Sequence, residues 1–314
     1  MRVEVTAQAR LHFGFLDLSG RGRRRFGGVG LAIARPRVHL VIERGAALGV
    51  VGQQARRIEE LAARFYAATG LPRGAVIRVE EAIPAHVGLG SGTATALALA
   101  SALATLHGLD PSPASLCAMM GRGRRSGIGF HAFARGGLLI DGGHASGAEP
   151  GSPPPLLSRH EFPEDWPVLL VIPGASKRMS GRDEEEAFLR LPPAPEETAG
   201  RMAHVVLMRL LPALAERDLP SFGAALGEAQ AIVGGWFASV QDGVFDPGGT
   251  RLALRLQEAG ALGVGQSSWG PALYAMPRDR SEHERLRSIA QATDPDAAIL
   301  SVRGFNRGAV LECR

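Results

Sequence analysis

A glycine-dense run that passes straight into an alanine- and leucine-rich one constrains this chain more than any other feature. Residues 83–102 read IPAHVGLGSGTATALALASA. Gly88, Gly90 and Gly92 crowd the first half, and the residues from Thr93 onward are small and helix-compatible. The junction predicts a helix from Thr93 to Leu106. Its first N–H groups have no partner within the helix, and the macrodipole adds partial positive charge at the same point. Such a helix start binds phosphate. Glycines let the backbone approach an anion closely, and the Ser91 and Thr93 hydroxyls can donate to it or cap the helix. No Lys follows the last glycine, so the loop is not of the Walker A type and further charge must come from elsewhere. A tight turn ahead of a core helix is the plainer alternative.

Charge comes almost wholly from arginine. Lys177 is the only lysine among 35 basic residues, set against 31 acidic ones, for a net +4 over 314 residues. That excess is too small to indicate a nucleic-acid partner, so what matters is where arginines cluster. Arg21, Arg23, Arg24 and Arg25 stand between two strand-like segments beside Gly27-Gly28, which suits either a loop closing over an anion or a solvated basic loop. Arg122, Arg124 and Arg125 immediately precede Ser126-Gly127-Ile128-Gly129. Beside an existing anion loop, they point to a poly-anionic ligand. His131 follows, as a general base, a ligand contact or a structural histidine. Lys177 and Ser180 come just after the apolar strand expected at 168–172, at a strand end where ligand loops often lie.

At this length, with 45% hydrophobic residues, two domains are expected, 1–150 and 156–314, joined by the Pro/Gly-rich stretch 147–155. Strands are expected near 2–7, 37–42, 76–79, 168–172 and 298–302. Helices are expected near 53–69, 93–106, 115–120, 197–217, 219–239, 250–259 and 283–292. Residues 260–276 read as a second glycine-rich loop leading to a strand. Without regular βαβ alternation, the class is α+β. Cys117 and Cys313 lack disulfide or metal spacing, and no signal peptide or membrane-length apolar run is evident, so a reducing, cytoplasmic location away from membranes is expected.

Three segments, in order, carry a family resemblance. PAHVGLGSGT (84–93) resembles the Pro-x3-GLGSS loop of the GHMP kinase superfamily. SGIGFHAFARGG (126–137) resembles its second motif, and GVGQSSWGP (263–271) its third. The resemblance implies a ribosomal-S5-domain-2-like N-terminal domain followed by a ferredoxin-like C-terminal domain. Three departures stand out. The kinases carry a catalytic Asp where this chain has Gly129, a second loop Ser where it has Gly92, and a Gly where it has Ser268. Without a base or electrostatic partner for an attacked hydroxyl, kinase chemistry with ATP becomes the alternative rather than the leading expectation.

The departures themselves, with ARLHFGFLDL (9–18) and GRGRRSGIGFHAF (121–133), resemble the β-ribofuranosylaminobenzene 5′-phosphate synthase family. That resemblance implies a decarboxylating transfer between 5-phosphoribosyl-1-pyrophosphate and 4-aminobenzoate, in the biosynthesis of methanopterin-type carriers, with Mg2+ arriving on the pyrophosphate and no ATP. It is the basis for the following expected roles. Gly88, Gly90, Ser91, Gly92 and Thr93 cradle pyrophosphate, with His86 at the mouth. Arg21, Arg23, Arg24 or Arg25 closes over one phosphate. Arg122, Arg124, Arg125 and Ser126 meet the other phosphate or the aryl carboxylate. Arg10, His12 and Phe13 line an aryl pocket or a packed core strand. Lys177, Ser180, Gln266, Ser267 and Ser268 bound the cleft from the second domain. Trp269 stacks on the aryl ring or packs internally. Asp17 and Asp141 are the carboxylates nearest these loops. A homodimer is expected from the superfamily.

Overall fold

The computed structural model describes residues 1–19, 22–148, 151–174 and 181–314. The expected loops at Arg21, Lys177 and Ser180 lie outside the described residues.

Two long strands, β1 (Arg2–Asp17) and β2 (Arg24–Arg44), form an antiparallel ribbon with register shifts at Gln8/Ala9 and His12/Gly14. The sequence pattern marks 2–7 and 37–42 as strands and leaves the segments flanking the arginine cluster only strand-like. The intervening residues Leu11, Phe13, Val29 and Leu31 are buried, and burial on both faces removes the alternation that reveals a strand. Short β3 (Gly49–Gly52) leads to α1 (Ala55–Thr69) and then β4 (Ala75–Glu81), which pairs with both β2 and β3. The next helix, α2 (Ser91–Leu106), is apolar around most of its circumference, with twelve buried residues. A helix so enclosed holds its N-terminus in a fixed place. After α3 (Pro113–Met119) and α4 (Ile128–Arg135), strands β5 (Leu138–Asp141), β6 (His144–Ala145) and β7 (Leu156–His160) complete the first sheet around the other half of β2.

The second sheet begins with β8 (Pro167–Ile172). A run of helices follows: α5 (Gly181–Arg190), α6 (Glu196–Val205) continuing through a π-helical turn into α7 (Leu211–Ala215), then α8 (Leu219–Gln241) and α9 (Pro247–Glu258). Strands β9 (Leu262–Gln266) and β10 (Leu273–Met276), helix α10 (Arg280–Thr293) and strand β11 (Ala298–Arg303) finish it. Its order, β11-β8-β10-β9 with antiparallel neighbours, is fourth-first-third-second in chain order, the ferredoxin-like arrangement.

The division at 150/156 does not separate the sheets. Leu156–His160 pairs with β5, and the last strand, β12 (Val310–Cys313), returns to pair with β1. A single apolar core runs from Val3 and Leu40 in the first sheet to Phe222 and Tyr274 in the second unit, and a smaller one lies under α9 and α10. The two units are packed through one interior, and the cleft described below opens between them. No helix among the described residues is long and apolar enough to cross a membrane.

Candidate active site

The N-terminus of α2 opens into a cleft of about 420 Å³ lined by six arginines: Arg10, Arg57, Arg64, Arg122, Arg124 and Arg125. Gly90 precedes the helix in a left-handed conformation, and no side chain caps this end. The helix start therefore faces the cleft with its own donors. Three guanidinium groups converge on it. A Cβ at Gly90 would lie 3.1 Å from the Arg10 side chain, and one at Gly92 would lie 3.1 Å from Arg122 and 3.4 Å from Arg57. Gly92, where the kinases have Ser, gives arginines room above the loop.

These arginines come from three segments far apart in sequence. Arg10 sits mid-way along β1 and donates to the Gly88 carbonyl. Arg57 projects from the first turn of α1, near Ser91 Oγ and bonded to Gln54 at 2.9 Å. Arg122 lies in the loop after α3, with its Nε buried and without a hydrogen-bond partner. Burial pulls the Arg10 and Arg122 pKa values down to about 10, with Arg57 and Arg64 adding repulsion at Arg122. Burial lowers Arg57 as well. All remain cationic at neutral pH, held where they are poorly solvated. An anion placed among them would reverse the cost of that burial.

The third motif supports this loop. Its Gly-Val-Gly-Gln portion is strand β9, not loop. Ser267 is fully buried; its Oγ donates to the Gly88 carbonyl at 2.7 Å and accepts from the His12 backbone N–H at 3.0 Å. A Cβ on Gly88 would meet the Ser267 carbonyl at 2.1 Å, so only glycine permits this approach, and the φ of +82° needs it too. Gln266 is buried, bonded to the backbone of Asp246 and Ser268 and to the side chain of Gln241. Gln266 and Ser267 brace the cleft from behind, and only Ser268 reaches its wall.

Below the arginines lies a chain of buried polar groups. His12 Nε2 is 3.0 Å from Ser126 Oγ, which is 3.3 Å from Asp141 Oδ2. Ser126 has one hydroxyl proton. Given to Asp141, it leaves the oxygen to accept from Ile128 N–H, at 3.1 Å, and from His12 Nε2–H. Asp141 is 0% exposed and also accepts from Gly127 N–H and Gly143 N–H, both at 2.9 Å. Burial pushes its carboxyl pKa up, against those hydrogen bonds. It anchors the loop rather than offering free oxygens to a metal. Asp17, the other candidate, accepts from Ser19 N–H at the end of β1 and does not line the cleft. Burial, then Arg10, holds the His12 pKa well below the ordinary histidine value, so His12 is neutral.

The far wall comes from α5. Glu184 pairs with Arg125 at 2.9 Å, and the Arg125 guanidinium lies 4.8 Å over the Phe188 ring. Phe188 meets Phe15 edge-on at 5.6 Å, and Phe15 lies 4.7 Å from His12. Phe15 takes the position on the cleft that Phe13 was expected to hold, because the register shift between His12 and Gly14 turns Phe13 into the core against Tyr274.

Arg10, His12, His86, Gly88, Gly90, Ser91, Gly92, Thr93, Arg122, Arg124, Arg125, Ser126 and Ser268 thus share one cleft. Other candidates take the plainer of the roles weighed for them, not the ligand-binding one. Arg23, Arg24 and Arg25 are exposed outside the cleft, Arg24 donating to the Gly142 and Gly143 carbonyls and Arg25 covering Phe26. His131 is buried on α4 with Nε2 2.8 Å from the Pro154 carbonyl, a structural role. Trp269 is buried, stacked on Phe237 at 3.9 Å, and does not line the cleft. Arg57, Arg64, Glu184, Phe15 and Phe188 were not singled out beforehand. Gly129 carries no side chain toward the site, and a Cβ there would crowd Thr93 at 3.2 Å.

Comparison with known proteins identifies the family. The GHMP kinases N terminal domain matches residues 56–137, and the GHMP kinases C terminal domain matches 210–296. The beta-ribofuranosylphenol 5'-phosphate synthase of Methanothermobacter thermautotrophicus is 33% identical, covering 98% of each chain. Its counterpart from Archaeoglobus fulgidus is also 33% identical, covering 99% of each. Among solved structures, L. major mevalonate kinase in complex with R-mevalonate superposes with a TM-score of 0.71 at 13% identity, over 97% of this chain and 96% of that one, a likeness of fold. With this likeness to the synthases along its whole length, the chain belongs to the beta-ribofuranosylphenol 5'-phosphate synthase family of the GHMP kinase superfamily.

Proposed function

We propose that the cleft joins 5-phosphoribosyl-1-pyrophosphate to 4-aminobenzoate or its 4-hydroxy counterpart, releasing CO2 and pyrophosphate. With 4-aminobenzoate the product is β-ribofuranosylaminobenzene 5′-phosphate, a precursor for methanopterin-type carriers. The relatives' name specifies a ribofuranosylphenol 5'-phosphate, which the 4-hydroxy acceptor would give by the same steps. One observation carries the reading: three poorly solvated arginines, Arg10, Arg57 and Arg122, crowd a bare helix N-terminus, in a cleft where Gly129 supplies no side chain to act on a hydroxyl.

Pyrophosphate departure leaves positive charge on the ribose C1. The converging guanidinium groups and helix N–H groups would stabilise the leaving anion. The ring carbon bearing the carboxylate, enriched by the para donor, attacks C1 from the opposite face and gives the β product. The bond from ring to carboxylate then breaks, its electron pair restores aromaticity, and CO2 leaves. No ring proton has to be removed, so positioning and electrostatics carry the rate. Mg2+ would arrive with the pyrophosphate, whose oxygens supply ligands and whose charge the ion offsets. Among the described residues no cluster of three His, Cys, Asp or Glu could hold a metal alone.

The test combines purified protein, Mg2+, phosphoribosyl pyrophosphate and either carboxyl-labelled acceptor. Labelled CO2 that requires both substrates and no ATP supports the reading. ATP consumption with an alcohol acceptor, and no CO2, would replace it with kinase chemistry.

A further inference from the structure

The cleft is chemically divided. At the α2 end Arg10, Arg57 and Arg122 have no ion-pair partner among the described residues, whereas at the α5 end Arg125 is paired with a carboxylate of the protein itself, Glu184. This second end carries the phenyl rings of Phe15 and Phe188, with Arg125 packed on the latter. A guanidinium stacked on an aromatic face keeps its fork of donors in one plane, ready for a carboxylate. Glu184 is half-buried there, close enough to Arg10 and His86 to feel both, yet burial still pushes its carboxyl pKa up. It is a carboxylate held at some cost in the aromatic end of an anion cleft.

Building on the reaction proposed above, we propose that Arg125, backed by Phe188, is the seat of the acceptor's carboxylate, and that Glu184 holds this seat in the free protein. An aromatic carboxylate enters by exchange. Its carboxylate replaces that of Glu184 on Arg125, and its ring lies against Phe15 and Phe188. The arrangement discriminates between substrate and product. Once the ring-to-carboxylate bond has broken and CO2 has left, the product's aryl ring carries no carboxylate to compete for Arg125. Glu184 then returns, favouring release.

The experiment measures binding of 4-aminobenzoate and 4-hydroxybenzoate by calorimetry to protein saturated with inorganic pyrophosphate, where no turnover occurs. Glu184→Gln is expected to tighten benzoate binding about threefold or more, because the internal competitor is gone. Aniline and phenol, which lack the carboxylate, should bind Glu184→Gln and wild type alike. Arg125→Gln should weaken benzoate binding about tenfold or more, while pyrophosphate affinity changes less than about twofold. Benzoate binding that is unchanged or weaker in Glu184→Gln, in a wild type that releases CO2 with both substrates, would overturn this inference and leave the proposed reaction standing. A wild type that neither binds a benzoate nor releases CO2 would remove the reaction and this inference together.

Discussion

Two arginine clusters in this protein have opposite fates. Arg23, Arg24 and Arg25 are contiguous and exposed, with Arg24 held by the Gly142 and Gly143 carbonyls and Arg25 lying over Phe26. Arg10, Arg57 and Arg122 are spread over more than a hundred residues, yet they meet above Gly90 and Gly92 with burial lowering the pKa of each. A run of basic residues along a chain spreads its charge into solvent. A site concentrates charge by drawing it from several elements onto one point and withholding water. On that contrast we propose the poorly solvated cluster as the anion site, while in the contiguous one Arg24 fastens a loop.

The sharpest way to break this contrast is to remove one member of each cluster. Arg122→Ala should weaken phosphoribosyl pyrophosphate binding by about 1.5–3 kcal/mol, the usual range for a lost charged hydrogen bond. Arg24→Ala should change it less than about twofold. Equal losses in a binding titration would mean that charge count, not placement, governs the site.

Much of this organisation was readable beforehand. The glycine loop and α2 follow from local composition, and Arg122, Arg124 and Arg125 stood out because their neighbours form a second Gly/Ser turn. Arg57 gave no signal. It lies on the polar face of a helix whose apolar face, Ile58, Leu61 and Phe65, explains its own pattern. Only the packing of α1 beside the start of α2 brings it to the loop. Glu184 is an acid in the first turn of α5, where the helix dipole alone accounts for it. Its approach to Arg125, 59 residues away, is tertiary. For His131 and Trp269 the sequence leaves a ligand role and a structural one open, and packing decides for the structural one, since a polar or aromatic residue inside a family motif can be there to hold the motif together.

The buried chain beneath the arginines should be the next most sensitive element. Asp141 receives Gly127 N–H and Ser126 Oγ–H on one oxygen and Gly143 N–H on the other. Asp141→Asn turns one of those acceptors into a donor facing a donor. Thermal or denaturant unfolding should show a loss of about 1–3 kcal/mol, with a further drop in turnover as Ser126 and His12 lose their fixed orientation. A fully active, equally stable variant would show that the chain fills space without positioning anything.

A smaller effect is expected from returning the loop to its kinase-like form. Gly92→Ser puts a Cβ 3.1 Å from the end of the Arg122 side chain, which is flexible enough to move. Stability should change by no more than about 0.5 kcal/mol, while phosphoribosyl pyrophosphate binding falls several-fold as Arg122 is displaced. If binding holds, Gly92 is not what admits the arginine, and the departure from the kinases at this position has another cause.

The weakest expected signal concerns His12, where the poorly solvated cluster meets the buried chain. Its folded pKa lies well below 6.5, because of burial first and the Arg10 charge second. Below that ordinary value the unfolded chain takes up a proton that the folded protein refuses, so stability must fall as pH falls from 6.5 toward the folded pKa. The slope contributed by one such group is at most about 1.4 kcal/mol per pH unit. Unfolding free energies measured across that window should therefore lose up to this much slope in His12→Gln, while the contributions of the other histidines persist in both proteins. An unchanged slope would mean that His12 takes up its proton as readily in the folded state as in the unfolded one. Below the ordinary histidine pKa the polar floor of the cleft would then gain a seventh positive charge beside the arginines instead of staying neutral beneath them.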